Sequence, residues 1–151
     1  MAGEDPGEET KREESKIKVL VVDDHQMVRQ GLRLLMEGEA DMEVAGEAVS
    51  GREMMRRVDE RRWDVVLLDI TLPDCCGLDL LREIKDKRPG MPVVILSMHP
   101  ASDYAREALS RGAAGYVAKD AAAAEVVEAI RTVVSGGTYV SGSPPRREKR
   151  A

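Results

Sequence analysis

The strongest constraint on the fold is the alternation of short apolar runs with longer segments of helical periodicity. Apolar runs of four to six residues cover 17–22, 65–68, 93–96 and 114–118. Each is followed by a segment in which apolar residues recur three or four positions apart, the spacing of an amphipathic helix. This alternation predicts βα repetition, in which parallel strands are covered by helices on both faces of a sheet.

Five helices are predicted from this periodicity. The first begins near His25 and ends near Gly38, and the fifth closes at Gly136–Gly137, a common signal at helix C-termini. The three between them are marked by Met54, Met55 and Val58, by Leu78, Leu81 and Ile84, and by a weaker pattern over residues 101–110.

A further strand is predicted over residues 42–49. It carries Glu43 and Glu47 among its apolar residues, which is typical of an edge strand. The first, third and fourth strands are almost continuously apolar and are therefore predicted to be central. The predicted fold is α/β, with a doubly wound five-stranded parallel sheet in the order 2-1-3-4-5 and a switch point between strands one and three.

Polar residues that suit phosphate chemistry follow four of the predicted strands. Asp23 and Asp24 follow the first, Asp69 the third, Ser97 the fourth and Lys119 the fifth. The carboxyl ends of parallel strands meet at one edge of a sheet, so these side chains are expected to share a site. Clustered carboxylates repel one another unless a cation offsets their charge, and a hard divalent ion with oxygen ligands is the ordinary solution. The pattern predicts a Mg²⁺-dependent site that accepts a phosphoryl group.

Length and composition restrict the classes of function. The 151 residues suit one domain, and the net charge of −5 disfavours general binding to a nucleic-acid backbone. The chain has no run of about 18 apolar residues and no signal-peptide pattern at its start, which predicts a cytoplasmic protein without a membrane partner. Two adjacent cysteines, Cys75 and Cys76, are predicted to be free thiols.

The two termini differ from the central part of the chain. Residues 1–16 are acidic with almost no apolar side chains and are predicted to be a disordered arm. Residues 17–137 are assigned to the folded domain. Residues 138–151 contain Pro144, Pro145 and a basic run, and are predicted to be a flexible linker that precedes an absent output domain.

Four segments of the chain resemble the receiver domain of two-component response regulators, in particular the NarL/FixJ (LuxR-type) branch. The matching segments are VLVVDDHQMVRQGL, LLDITLPDCCGLDLL, VVILSMH and GAAGYVAKD. The spacings also match, because 45 residues separate Asp24 from Asp69, 28 separate Asp69 from Ser97 and 22 separate Ser97 from Lys119. The resemblance implies a flavodoxin-like, CheY-like receiver fold.

The resemblance also assigns a role to each candidate site residue. It implies that Asp69 is the phosphoacceptor, that Lys119 contacts a phosphoryl oxygen, and that Mg²⁺ is held by Asp23, Asp24, Asp69 and the main-chain carbonyl of Thr71. Ser97 and Tyr116 resemble the pair through which phosphorylation changes the conformation. His25 is expected to make local hydrogen bonds where the first helix begins, rather than to bind phosphate or metal, and His99 is expected to be a loop residue.

The implied function is signalling rather than enzymatic turnover. A sensor histidine kinase would donate the phosphoryl group, and the chain would catalyse only its own phosphorylation and slow dephosphorylation. The output implied by the branch is transcription regulation through an absent C-terminal helix-turn-helix that binds DNA, with a homodimer forming on phosphorylation.

Two alternatives remain open from the sequence. One is a stand-alone receiver that acts through protein contacts. The other is a phosphatase similar to the haloacid dehalogenases, which is disfavoured because that family needs an acid two residues after its nucleophile, where this chain has Thr71.

Overall fold

A computed structural model describes residues 15–119 and 123–141. The strands are β1 Ile17–Val22, β2 Met42–Ala48, β3 Val65–Asp69, β4 Val93–Ser97, β5 Gly115–Ala118 and β6 Tyr139–Val140. The helices are α1 Gln26–Glu37, α2 Gly51–Glu60, α3 Gly77–Lys87, α4 Ala101–Ser110 and α5 Ala123–Val134. None of the helices in this described part of the chain is long and apolar enough to cross a membrane.

All neighbouring strands of the sheet are parallel, and their order is β2-β1-β3-β4-β5-β6. The α/β class, the edge position of β2 and the pairing of β1 with β3 agree with the sequence prediction. The predicted strand count is wrong, because the sheet formed by the described residues has six strands rather than five.

The sixth strand lies in a stretch that was predicted to be linker. It pairs Tyr139 with Gly115 and Val140 with Tyr116 of β5. Tyr139 is buried, and its hydroxyl donates a hydrogen bond of 2.8 Å to a carboxylate oxygen of Glu125 on α5. Two residues give no detectable alternation, so pattern analysis missed this strand. The rest of the predicted linker and nearly all of the predicted arm lie outside the described residues.

Alternate residues of each central strand face two separate hydrophobic cores. Leu20, Leu68 and Ile95 belong to the core formed with α2, α3 and α4. Their neighbours Val21, Leu67 and Leu96 belong to the core formed with α1 and α5. Because both faces are covered by helices, the central strands are apolar throughout, and polar residues are confined to the strand ends.

Candidate functional site

The register of the sheet brings the predicted site residues to one edge. Val22 pairs with Leu68, and Ser97 pairs with Ala118. Asp23, Asp69 and Lys119 therefore lie at the carboxyl ends of β1, β3 and β5, at the same edge of the sheet. Asp23 and Ser97 are fully buried, and Asp69 is 3% exposed, which is unusual for ionisable or polar side chains.

Lys119 lies between two of the buried carboxylates. Its Nζ is 2.7 Å from Asp23 Oδ2 and 3.1 Å from Asp69 Oδ2. Apart from this ammonium, neither Oδ2 atom has a hydrogen-bond donor within the described residues. The lysine thus compensates much of the negative charge, but both oxygens keep unused capacity to accept a ligand.

The two carboxyl groups differ in their pKa. Burial acts to raise the pKa of Asp23, but Lys119 and the backbone N–H of His25 outweigh it, and the pKa lies below its ordinary value. Burial raises the pKa of Asp69, against the opposing Thr71 N–H, and the charge of Asp23 raises it further. Burial acts to lower the pKa of Lys119, but its pairs with Asp23 and Asp69 leave it raised. Asp69 is therefore the member of the cluster that most readily takes up a proton.

A third acid and a histidine complete the cluster. Asp24 and His25 follow Asp23 at the end of β1, and ligand atoms from Asp23, Asp24, His25 and Asp69 all lie within 4.8 Å of one another. His25 Nδ1 is 2.9 Å from Asp23 Oδ1 and 3.3 Å from Asp24 Oδ1. The expected local hydrogen bond of His25 is present, because its backbone N–H also donates to Asp23 Oδ1 at 2.8 Å.

The donor atoms of this cluster fit a hard divalent cation. Several carboxylate oxygens converge, two of them are buried with the Lys119 ammonium as their shared partner, and Asp24 remains accessible at the cleft. Mg²⁺ is commonly held by one or two carboxylates with water completing its coordination. Asp23, Asp24 and Asp69 are the side chains that would hold it.

The loop after β3 is folded tightly against the site. The Thr71 N–H donates to Asp69 Oδ1 at 3.1 Å, and Thr71 pairs with Cys76 in an isolated antiparallel bridge. Gly77 begins α3 where a Cβ atom would collide with the Asp69 carbonyl oxygen and lie 3.1 Å from Ile70 Cα. The role of the Thr71 carbonyl as a metal ligand stays a prediction.

Asp74 attaches this loop to the start of α2. Its carboxylate accepts hydrogen bonds from the backbone N–H groups of Gly51, at 2.9 Å, and Arg52, at 3.0 Å. These donors have no partners within their own helix, and they lower the pKa of Asp74. Sequence reasoning missed this contact, since nothing around a loop acid indicates a hydrogen bond to Arg52, 22 residues earlier in the chain.

Ser97 and Tyr116 are connected through the backbone of His99. The His99 N–H donates to Ser97 Oγ at 3.0 Å, and the Tyr116 hydroxyl donates to the His99 carbonyl at 2.9 Å. Both side chains are fully buried, and burial raises the pKa of Tyr116. Their proposed switching role stays a prediction, and the His99 backbone is the group that contacts both side chains.

Both cysteines are free thiols, in agreement with the sequence prediction. Burial and the neighbouring carboxylate of Asp74 raise the pKa of Cys75 to about 11, which makes it a poor nucleophile at neutral pH. Both cysteines and His99 line a cleft of about 250 Å³ beside the site.

Comparisons with known proteins identify the class to which this fold and site belong. The family model for the response regulator receiver domain matches residues 19–131. The chain belongs to that family. A crystal structure of a LuxR-family two-component response regulator from Aurantimonas sp. has 35% sequence identity and a TM-score of 0.80, and the alignment covers 85% of this chain and 91% of that one.

Two curated relatives are also similar to this chain in sequence. The transcriptional regulatory protein MctR of Rhizobium johnstonii is 40% identical over 132 residues, 85% of this chain and 60% of its own length. The response regulator GacA of Pseudomonas syringae pv. syringae is 39% identical over 125 residues, 83% of this chain and 58% of its own length. The chain thus spans little more than half of these relatives. It is a receiver domain of a two-component response regulator, related to LuxR-type transcription regulators.

Proposed function

We propose that this receiver accepts a phosphoryl group on Asp69 from a sensor histidine kinase. The observation that carries the proposal is the placement of the Asp69 carboxylate 3.1 Å from the Lys119 ammonium, beside a cluster of acids able to hold a divalent cation. Receiver domains are generally regulators rather than enzymes, so the chemistry expected is self-modification and its slow reversal.

An Asp69 carboxylate oxygen would attack phosphorus while the bond from phosphorus to the donor's imidazole nitrogen breaks. The Lys119 ammonium would then turn from the carboxylates towards a phosphoryl oxygen as a point charge. Asp23, Asp24, Asp69 and the Thr71 carbonyl would hold Mg²⁺. The bound ion would neutralise negative charge on the carboxylates and the phosphoryl group.

A small-molecule donor tests this proposal without knowledge of the kinase. Incubation with acetyl phosphate and Mg²⁺ should add one phosphoryl group, observed in the intact mass as an increase of roughly 80 Da. The Asp69→Asn variant and wild-type protein in excess chelator should show no increase. An Asp69→Asn protein that is still modified would refute the assignment.

We also propose that phosphorylation shifts the population of a conformation involving Ser97 and Tyr116, and that it promotes a homodimer. Sedimentation velocity should show a larger species after treatment with acetyl phosphate, but not with Asp69→Asn. An unchanged sedimentation coefficient of the fully phosphorylated chain would exclude the dimer.

Transcription regulation is the proposed output, through DNA binding outside this domain. The support is that relatives such as MctR are named transcriptional regulatory proteins. The alternative of a stand-alone receiver would be favoured if a regulator carrying this sequence changed no transcript when Asp69 is replaced. The phosphatase alternative lacks its required acid, because Thr71 offers a backbone N–H to Asp69 rather than a carboxyl group.

A further inference from the structure

His25 gives the cation site a nitrogen donor as well as oxygens. Its side chain is 64% exposed, yet Nδ1 lies within 3.3 Å of carboxylate oxygens from both Asp23 and Asp24. The ring therefore lies at the mouth of the cleft and faces the acids, although the imidazole could extend into solvent. The same cluster includes Asp69.

The spacing of these atoms suits shared coordination. Neighbouring ligands of an octahedral ion with bonds of about 2.1 Å are separated by about 3.0 Å. The distances from Nδ1 to Asp23 Oδ1, 2.9 Å, and to Asp24 Oδ1, 3.3 Å, bracket this value. The buried Oδ2 atoms of Asp23 and Asp69 share the Lys119 ammonium as their ion-pair partner, so one lysine compensates a cluster of three aspartates, and the remaining negative charge favours a cation.

We propose that His25 Nδ1 is a direct ligand for borderline divalent ions such as Co²⁺ and Ni²⁺, so that the site accepts them in a coordination mode that Mg²⁺ does not use. Imidazole suits these transition metals, whereas Mg²⁺ prefers oxygen. This inference rests on the proposed cation-binding function of the acidic cluster and adds one ligand to it. On binding, the imidazole nitrogen donates its lone pair to the metal, and any proton on Nδ1 is released to solvent.

Comparing Co²⁺ with Mg²⁺ affinity, in wild type and in a His25 variant, separates direct coordination by His25 from general cation binding by the cluster. Transition metals bind more tightly than Mg²⁺ at most sites, so the informative quantity is how a His25→Gln substitution changes each affinity. Calorimetric titration at pH 8 should show Co²⁺ affinity reduced roughly tenfold or more, while Mg²⁺ affinity stays within about twofold of wild type.

His99→Gln is the matched control, because the sequence contains two histidines and the second is not a member of the cluster. This variant should retain wild-type Co²⁺ affinity. In it the remaining imidazole belongs to His25, so paramagnetic broadening by Co²⁺ of a single set of histidine ring resonances reports direct coordination without any activity measurement.

Four results would overturn the inference. Unchanged Co²⁺ affinity in His25→Gln would show that the ring is not a ligand. An equal loss of Co²⁺ and Mg²⁺ affinity would make His25 a positioning residue that orients Asp23. A wild-type chain that binds Mg²⁺ but not Co²⁺ would exclude nitrogen coordination while leaving the proposed function intact, whereas failure to bind either ion would reject both.

Discussion

At the scale of single residues, the site is defined by two buried aspartates that share one lysine but differ in their surroundings. Asp23 receives the shorter ion pair, at 2.7 Å, and a backbone N–H from His25. Asp69 receives the longer ion pair, at 3.1 Å, and a backbone N–H from Thr71. The residue proposed to react is therefore the one whose negative charge is less well compensated.

The raised pKa of Asp69 predicts a pH-dependent stability difference. A carboxyl whose pKa is higher in the folded state than in the unfolded state favours folding most when protonated, and this contribution is lost as pH rises through the folded-state pKa. Asp69→Asn, which leaves Lys119 paired with Asp23, should therefore be more stable than wild type at pH 7. The difference should vanish near pH 3 in urea unfolding experiments. A difference that grows on acidification would contradict the assigned direction.

Removal of the lysine should have the opposite effect. Lys119→Met leaves two buried carboxyl groups without their shared cation, and the free energy of unfolding at pH 7 should fall by about 3 kcal/mol. Lys87→Met removes an exposed pair with Asp59 of similar length, 2.9 Å, and should cost less than about 0.5 kcal/mol. Equal losses in the two variants would show that burial of the Lys119 cluster has no energetic consequence.

The sequence predicted the residues at the strand ends better than the contacts made by the loops. Asp23, Asp69 and Lys119 could be brought together because parallel strands end at a common edge. The contact of Asp74 with α2 and the link from Tyr116 to His99 depend on loop conformations, which carry no periodic pattern.

At the scale of secondary-structure elements, β3 and α3 are joined by a loop with little room for substitution. Gly77→Ala should lower the free energy of unfolding by about 2 kcal/mol, because the added methyl group meets backbone atoms of Asp69 and Ile70 that cannot easily move. It should also slow modification by acetyl phosphate, measured by intact mass.

Gly31→Ala is the control for this substitution. Gly31 lies inside α1, where a Cβ atom would have no neighbour within 4 Å, and the change should raise stability by about 0.5–1 kcal/mol. If Gly77→Ala were equally stabilising, a Cβ atom at the start of α3 would not collide with the backbone of Asp69 and Ile70, contrary to the structure.

The short strand β6 has a larger energetic role than its length indicates. A chain ending at Gly137 lacks the buried Tyr139 ring, its bond to Glu125 and the backbone bonds from Tyr139 and Ser141 to β5 and its flank. Its free energy of unfolding should be about 2–3 kcal/mol lower than that of a chain ending at Ser141. Equal denaturation midpoints for the two chains would show that β6 does not stabilise the domain.

The elements that could be predicted are those with enough residues to show a helical period or a continuous apolar run. The five helices and the first five strands meet this condition, and the residues of β1 and β4 alternate between two cores as expected. A two-residue strand cannot, so β6 became visible only through its pairing with β5.

At the scale of the whole molecule, binding of a cation at one edge should stabilise the entire domain. A ligand that binds only the folded state adds about 1.4 kcal/mol when its concentration is ten times its dissociation constant. Mg²⁺ should therefore raise the melting temperature of the wild-type chain more than NaCl of equal ionic strength. Asp24→Asn should reduce this increase, and a full Mg²⁺ response in that variant would remove Asp24 from the site.

The hydrogen bonds from Gly51 and Arg52 to Asp74 have a kinetic consequence for this domain. They tie one wall of the cleft to a neighbouring helix before any donor arrives, so encounter with a small phosphodonor does not have to wait for that wall to assemble. The entropic cost of organising this wall is therefore met during folding, and if Asp69 is phosphorylated as proposed, the lifetime of its acyl phosphate would set the duration of the signal.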